Sequence, residues 1–310
     1  MTNSDAGARV SVDDRRRGTG LKTAKQRRTA SLLISLLPGL VVLAVFFLIP
    51  LLRLAEVSLQ DDFLADEATL TLANYVRFFT TSSTTAALLT SMRLSLVVTV
   101  VTLFVGYPVA HFLVWSESRL KPLVFIAIIS PLLISLVVRS LGWLIVLGRA
   151  GALNRLMLWF GVIDEPIQLI YTFGAVVVGT VHVLLPFMVL SIASVLNQVP
   201  RAVEEAADIL GAKPWQRFLR VTLPLSLPGV ISGSFLVFAL TMGSYITPQM
   251  LGGGQVRVLT LSIYDRMVVV FDWGYGSAMA VVLLVVTLSL ALYIGRLQRR
   301  FGVPLGGGGA

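Results

Sequence analysis

Uncharged, apolar runs long enough to cross a bilayer recur along the chain and are separated by short charged segments. A membrane-spanning helix needs about 20 mostly apolar residues, because the hydrocarbon core is about 30 Å thick and each helical residue rises about 1.5 Å. The runs do not alternate apolar and polar positions as the strands of a membrane barrel do. The pattern therefore predicts an all-α integral membrane protein with six spans. These are expected at about residues 30–53, 90–115, 122–147, 170–195, 225–247 and 273–295.

Basic residues are distributed unevenly between the loops on the two sides of the predicted spans. An even number of spans places both termini on one side, and most of the 25 Lys and Arg residues fall in the segments on that side. Cytoplasmic loops carry an excess of Lys and Arg. Both termini and the polar segment at residues 197–224 are therefore predicted to be cytoplasmic. The same bias accounts for the formal net charge of +9 without a nucleic-acid partner.

The ends of the chain and its first outer loop differ in composition from the spans. Residues 1–29 are polar and Arg-rich, which predicts a disordered basic tail, and the Gly-rich residues 301–310 predict a flexible tail. The first apolar run is too long for the core of a signal peptide, so it is expected to be retained. The loop at residues 54–87, with its aromatic stretch NYVRFF, is interpreted either as a solvated loop with a small interfacial helix or as a docking site.

The polar segment at residues 197–224 is predicted to form two short helices. Pro200 suits the first turn of a helix, because its missing N–H would be unpaired there in any case. Glu204 and Glu205 lie near that start and suit the positive end of the helix dipole. Gly211 can adopt the left-handed conformation that ends a helix, and the second helix is expected to follow it.

The second of these helices has one apolar face. Its positions follow the helical spacing i, i+3, i+4, i+7, and they are Trp215, Phe218, Leu219 and Thr222. Such a face either packs into a groove on another protein or rests on the membrane surface. Pro224 and Pro228 are then expected to break the chain before the fifth span.

Residues of this segment carry a resemblance to a known family. The tripeptide EAA at residues 205–207 is followed by Gly211 and, further on, by LPLSLPG at residues 223–229. This spacing resembles the EAA loop of permease subunits in ATP-binding-cassette importers of the binding-protein-dependent kind. In that family the loop forms coupling helices that dock into a cleft of the cytoplasmic ATPase. The resemblance implies a coupling role for Glu205, Ala206, Ala207, Gly211, Ala212, Trp215 and Phe218.

Longer stretches extend the resemblance over about residues 70–298. SMRLSLVVTVVTLFVGYPVAHFL and SPLLISLVVRSLGWLIVLGRAGALN are similar to the first permease of spermidine/putrescine-type importers. This implies the type I ABC importer permease (MetI-like) fold over residues 30–300, in a multi-pass protein of the cell inner membrane. It also implies a polyamine or a related small organic solute as cargo. The implied partners are a second permease subunit, ABC ATPase subunits, an extracytoplasmic solute-binding protein and membrane lipid.

Nucleotide and metal chemistry are not expected in this chain. The glycines at residues 252–254 are not followed by the Gly-Lys-Ser/Thr of a phosphate loop, and no other nucleotide-binding fingerprint is present. ATP hydrolysis is therefore expected in a separate partner subunit, and this chain is interpreted as a non-enzyme without a bound cofactor. With no cysteine and two distant histidines, a metal centre is not expected either.

Polar residues within or beside the spans are candidates for the solute path. Arg139 interrupts the third predicted span, and a charge in the bilayer is costly, so it either reaches the headgroups, pairs between helices or lines the path. Trp143 is interpreted as an interfacial anchor or a path residue, and His182 as an interhelical hydrogen-bond partner or a solute contact. The full candidate set is Arg139, Trp143, His182, Thr241, Ser244, Tyr245 and Asp265.

The cargo and the transport class leave alternatives open. No predicted span contains Asp or Glu, although a polycation would benefit from an acidic partner in a low-dielectric path. Asp265 and Asp272, in the outer loop before the sixth span, are the nearest candidates. The alternative function is an ATP-independent channel or ion-coupled secondary transporter. Such carriers use ionisable groups in mid-span and inverted repeats, and neither is evident here.

Overall fold

The computed structural model of the chain describes residues 37–60 and 69–300, with side chains up to residue 296. The tails predicted at residues 1–29 and 301–310 lie outside these described residues. The chain divides into two units between Glu56 and Val57, and each is described by itself.

Six helical segments of the described residues are long and apolar enough to cross a membrane, which confirms the prediction of an all-α membrane protein with six spans. They are Leu37–Ser58, Ser82–Trp115, Leu136–Trp159, Phe173–Leu196, Pro214–Met242 and Trp273–Arg296. The first of them, α1 (Leu37–Ser58), supplies the described part of the first unit and contains a π-helical turn at Ala44–Leu48.

The second unit contains eleven further helices within its described residues. They are α2 (Ala73–Thr80), α3 (Ser82–Trp115), α4 (Lys121–Ile129), α5 (Leu136–Leu147), α6 (Ala152–Trp159), α7 (Phe173–Leu196), α8 (Arg201–Ile209), α9 (Pro214–Met242), α10 (Ile246–Gly252), α11 (Leu259–Tyr264) and α12 (Trp273–Arg300). Pro214–Met242 is one continuous helix, because a π-helical turn joins its two α-helical parts.

The centre of this unit is formed by α3, α7 and α9, which pack against one another. Leu94 of α3, Met188 of α7 and Val237 of α9 are fully buried there. Small residues let α9 approach α7 closely. A Cβ atom added at Gly229 would lie 2.8 Å from the carbonyl oxygen of Ser191. The two helices therefore meet nearly backbone to backbone.

The third predicted span, residues 122–147, is not one continuous helix. After α4 the chain forms a 3-10 turn at Ser130–Leu133, becomes extended, and restarts as α5. Pro131 lies in this break, and it has no N–H to continue the helical hydrogen-bond ladder of α4. The Arg139 guanidinium donates hydrogen bonds to the carbonyl oxygens of Pro131 and Ile134. The arginine thus supplies donors to carbonyls at the break, although the Pro131 carbonyl also accepts from the Ile134 N–H at 3.3 Å.

The aromatic stretch of the first outer loop is packed rather than solvated. It forms α2, and Phe78 is fully buried in a cluster with Tyr275 and Met279 of α12. Arg77 forms an ion pair with Asp272 at 2.8 Å and lies 4.1 Å from the centroid of the Tyr275 ring. The small helix expected in this loop is confirmed. The expectation that the loop is solvated is wrong for the face that carries Phe78, because that face has apolar partners in α12.

The expected chain break at Pro224 and Pro228 is also wrong, because both prolines lie inside α9. A π-helical turn at Phe218–Thr222 directly precedes Pro224, and the Leu223 N–H donates to the carbonyl of Phe218. A π turn inserts one extra residue and shifts the hydrogen-bond pattern. The shift accommodates a proline that cannot donate to the regular ladder, so the helix continues.

Candidate functional site

The polar segment between the fourth and fifth spans folds as two helices joined by a glycine turn. Pro200 precedes α8, and Gly211 follows it with a φ of 77°. The N–H of Ala212 donates to the carbonyl of Ala207 at 3.0 Å, which closes the end of α8. A positive φ favours glycine because it has no Cβ. The predicted helix end at Gly211 is confirmed.

The start of α9 is held by its own side chains. Its first residue is Pro214, and the preceding Lys213 N–H donates to Oε1 of Gln216 at 3.0 Å. This bond satisfies a backbone donor that precedes the first turn. The prediction of a second helix after the glycine is confirmed, although that helix runs on into the fifth span without interruption.

A network of charged side chains joins α8 to α9. Arg217 bonds to the carboxylate of Asp208, and its Nε lies 3.9 Å from Glu204. The Thr222 hydroxyl donates to Glu204 as well. The Glu204 side chain is only 15% exposed, and reduced exposure to water strengthens such contacts. We call Glu204, Asp208, Arg217 and Thr222 the inter-helix clamp.

Three of the four clamp residues were absent from the sequence-based expectations of function, and Thr222 was expected only on an apolar face. Glu204 and Asp208 are separated by four positions, so they lie on one face of α8. That spacing was the available signal. The basic residue that contacts these two acids, Arg217, could not be identified from the sequence, because the angle between α8 and α9 depends on the turn at Gly211.

The expected single apolar face of the second helix is wrong. The Phe218 ring packs edge-on against Tyr107 of α3, with centroids 5.3 Å apart, and Thr222 is buried. In contrast, Trp215 is 57% exposed and Leu219 50% exposed. The π turn, which begins at Phe218, changes the angular spacing that an α-helical pattern assumes. Phe218 therefore anchors the segment to the bundle.

Apolar side chains project from the junction of the two helices. Ile209 and Leu210 are each 86% exposed, and Trp215 lies at the start of the following helix. We call these three residues the exposed tip. Ile209 and Leu210 were missed by sequence reasoning, although two large apolar residues directly before a helix-ending glycine were a visible signal. Of the expected coupling residues, Glu205, Ala206 and Gly211 are exposed, and Ala207 and Ala212 are partly buried.

A small cavity of about 310 Å³ lies where this segment meets α3. Tyr107, Pro108 and His111 of α3 line one side of it, and clamp residues line the other. The Tyr107 hydroxyl is 2.7 Å from Oγ of Ser226 in α9. The segment is thus attached to α3 as well as to the helix that it begins.

Trp143 and His182, which were separate candidates for the solute path, are brought together. The Trp143 Nε1 donates to Nδ1 of His182 at 3.1 Å, which links α5 to α7. This is the interhelical hydrogen bond that was one of the two alternatives for His182. Arg139 is engaged instead with the carbonyls at the break before α5.

Another cavity, of about 450 Å³, lies at the end of α9 opposite the clamp. Ser244 and Tyr245 line it together with Thr247, the next hydroxyl of the same stretch, and with Thr180, which sequence reasoning missed. Thr241 is buried, and its hydroxyl donates to the carbonyl of Val237 at 2.7 Å. The remaining lining residues are apolar except for a glycine: Leu136, Val183, Leu184, Phe187, Leu240, Gly243 and Ile246.

Asp265, the last candidate for the solute path, lies just after α11 and is exposed. The preceding Tyr264 faces Tyr245, with ring centroids 5.0 Å apart. The structure therefore groups Ser244, Tyr245 and Asp265 at one end of the second unit, and places Arg139, Trp143 and His182 outside the lining of the cavity.

Comparison with known proteins identifies relatives of this chain. Residues 102–303 match the family described as "Binding-protein-dependent transport system inner membrane component". The chain is 33% identical over 259 residues to the "Spermidine/putrescine transport system permease protein PotB" of Escherichia coli strain K12. The match covers 83% of this chain and 94% of that protein.

Solved structures share the fold at low sequence identity. A chain of a bacterial alginate ABC transporter, in complex with its alginate pentasaccharide-bound periplasmic protein, is 18% identical and superposes with a TM-score of 0.74. That match covers 92% of this chain and 99% of the other. A chain of the inward-facing MetNI methionine ABC transporter is also 18% identical, with a TM-score of 0.54 over 74% of this chain and 97% of the other.

Proposed function

We propose, from the premise that this chain belongs to the family of binding-protein-dependent transport system inner membrane components, that residues 201–222 couple its helix bundle to a cytoplasmic ATPase. Family membership makes the chain a multi-pass permease subunit of an ATP-binding-cassette importer in the inner membrane. Residues 201–222 would be the part of this chain that contacts the ATPase and moves with it during ATP binding and hydrolysis.

The observation that carries the proposal is the exposed tip. Two large aliphatic side chains that are 86% exposed are unusual on a polar loop, and exposed apolar groups that cluster mark sites of protein interaction. A short helical segment with apolar anchors is a recurrent form of groove recognition. The excess of Lys and Arg on this side of the spans supports its location in the cytoplasm, together with both termini.

The inter-helix clamp supports transmission from the tip to the spans. Arg217 holds α8 against the first turn of α9 through Asp208 and Glu204. Because α9 continues as the fifth span, a displacement of the tip is passed to a helix that packs against α3 and α7. ATP binding in the partner subunits would thereby change the side of the membrane to which the solute path is open.

The cargo and the partners follow from the same premise. Importers of this family operate with ATPase subunits and a binding protein, and we assign this chain half of the path, with a second permease subunit forming the other half. The name of the PotB relative supports a polyamine as the solute. An extracytoplasmic binding protein would then do most of the selection, since the spans from Ser82 onward contain no Asp or Glu.

The coupling role is tested with Leu210→Asp in the assembled importer, purified through a tag on this chain. Loss of an apolar anchor from a docked groove costs about 2 kcal/mol or more, so we expect the co-purified ATPase to fall by about tenfold or more. Val162→Asp is the matched control, because Val162 is 68% exposed on a different loop. Undiminished ATPase in the Leu210→Asp preparation would refute the coupling role.

A further inference from the structure

Two tyrosine rings are held close together, in a tilted arrangement, beside the larger cavity. Thr260 of α11 donates its hydroxyl hydrogen bond to the carbonyl of Ser244 at 2.7 Å. Tyr264 lies one helical turn after Thr260, and therefore on the same face of α11. This places its ring 5.0 Å from that of Tyr245, centroid to centroid, with the planes inclined by 40°. The pair is thus positioned by a backbone contact rather than by chance proximity of two mobile side chains.

A carboxylate adjoins this pair. Asp265 directly follows Tyr264, and among the described residues it forms no ion pair. Burial, and then the neighbouring Tyr264 and Asp265, raise the pKa of the Tyr245 hydroxyl. A tyrosine is neutral at physiological pH even without such a shift. A neutral aromatic face beside a carboxylate attracts cations.

Two other charged residues of this outer segment, Asp272 and Arg266, are engaged elsewhere. Asp272 pairs with Arg77 at 2.8 Å and accepts a hydrogen bond from the Tyr275 N–H at 3.2 Å. The guanidinium of Arg266, the residue after Asp265, lies 5.6 Å from the centroid of the Tyr275 ring. Asp265 is thus the acid of this outer segment that remains available to a ligand.

We propose that Tyr245, Tyr264 and Asp265 form a subsite for an organic ammonium group, at the entrance to the cavity lined by Ser244 and Thr247. The inference rests on the proposed function, which supplies the amine as cargo. Aromatic faces attract ammonium groups through their quadrupole, and the carboxylate adds a direct opposite charge. An anionic solute would be repelled by Asp265, and a neutral one would gain nothing from it.

The subsite compensates for the neutral interior of the path. Spans from Ser82 onward contain no Asp or Glu, so a polyamine loses its hydration there without an acidic partner from this chain. Tyr245 belongs both to the tyrosine pair and to the cavity wall. An ammonium group bound by the tyrosine pair would therefore lie at the edge of the cavity whose wall carries the hydroxyls of Thr180, Ser244 and Thr247.

The test uses the wild-type importer with its binding protein in proteoliposomes, supplied with radiolabelled spermidine at saturating loaded binding protein. Asp265→Asn and Tyr264→Leu should each lower maximal uptake by about three- to tenfold, with ATP hydrolysis unchanged. Tyr264→Phe keeps the aromatic face and should stay within about twofold of wild type. Asp164→Asn, at an exposed acid of another loop, should have no effect.

The possible outcomes separate the subsite from the proposed function. If wild-type vesicles show no ATP-driven spermidine uptake, the cargo itself is wrong and the subsite falls with it. If they do, but Asp265→Asn and Tyr264→Leu transport normally, only the subsite is overturned. The subsite is equally overturned if Tyr264→Phe falls as far as Tyr264→Leu, or if uptake and ATP hydrolysis fall together.

Discussion

Single side chains in this protein hold elements together where the backbone cannot. The indole N–H of Trp143 and the imidazole of His182 connect α5 to α7 at 3.1 Å, and Arg139 satisfies carbonyls at the break before α5. Each of these polar groups stood out in the sequence because it interrupts an apolar run. The sequence marked them as special, but their partners lie on elements whose relative placement requires the fold.

A double-mutant cycle tests the Trp143–His182 bond. Hydrogen bonds between membrane helices contribute about 0.6 kcal/mol on average and up to about 1.7 kcal/mol. Trp143→Phe and His182→Ala should therefore destabilise the solubilised chain by less in combination than the sum of their separate effects. The free energy of unfolding, measured by titration with a denaturing detergent, gives the coupling energy. Strict additivity of the two substitutions would show that the bond contributes nothing.

At the scale of elements, the two-helix form of residues 201–222 was predictable and its orientation was not. Proline, acidic residues and glycine stand where helix-capping chemistry requires them, so the start and end of α8 followed from local rules. The π turn at Phe218–Thr222 did not, because it arises where a proline inside a continuous helix disturbs the hydrogen-bond ladder. That turn redirects Phe218 to Tyr107 and separates it from the exposed tip.

The inter-helix clamp should be needed for coupling and dispensable for docking. Arg217→Ala leaves Glu204 and Asp208 without their cation, while Ile209 and Leu210 keep their exposure. We expect the ATPase to co-purify at the wild-type level and spermidine uptake per ATP hydrolysed to fall by about threefold to tenfold, since a loss of about 1 kcal/mol shifts an equilibrium about fivefold. The ratio is measured in proteoliposomes.

Arg220→Ala is the matched control for this substitution, because Arg220 lies one turn along and is exposed. It should leave the ratio of uptake to hydrolysis unchanged. Equal ratios in the Arg217→Ala and wild-type importers would mean that the clamp has no part in transmission. Loss of the ATPase from the Arg217→Ala preparation would mean that the clamp acts by shaping the docking surface instead.

At the scale of the whole chain, the number and kind of the spans followed from the length of the apolar runs. The packed state of α2 did not, because it depends on partners distant in sequence, whereas the interruption in the third predicted span involves the nearby Pro131 and Arg139. Arg77 reaches Asp272, and Phe78 reaches Tyr275. The close contact of α7 with α9 likewise depends on which face of each helix the small residues occupy.

The glycines of α9 give a graded test of that packing. A methyl group at Gly229 would meet the backbone of Ser191 and Ile192, whereas one at Gly233 would meet the flexible end of the Met188 side chain and the Cβ of Ser191. Gly229→Ala should therefore destabilise the chain by about 1–3 kcal/mol and Gly233→Ala by less. Thermal unfolding of the solubilised chain measures both. The reverse order would contradict the close approach of the two backbones.

The unbroken helix α9 has a mechanical consequence. Its 29 residues make a rod about 44 Å long, with the exposed tip at one end and Ser244–Tyr245 just beyond the other. Gly229 lies near its midpoint, where an added Cβ atom would meet the backbone of Ser191 and Ile192 in α7. In the proposed coupling, such a rod would act as a lever with its fulcrum near Gly229. A displacement of the exposed tip in one direction would move Tyr245 in the opposite direction. A movement of the ATPase and a change in width of the cavity lined by Tyr245 would then be coupled through the rotation of one helix.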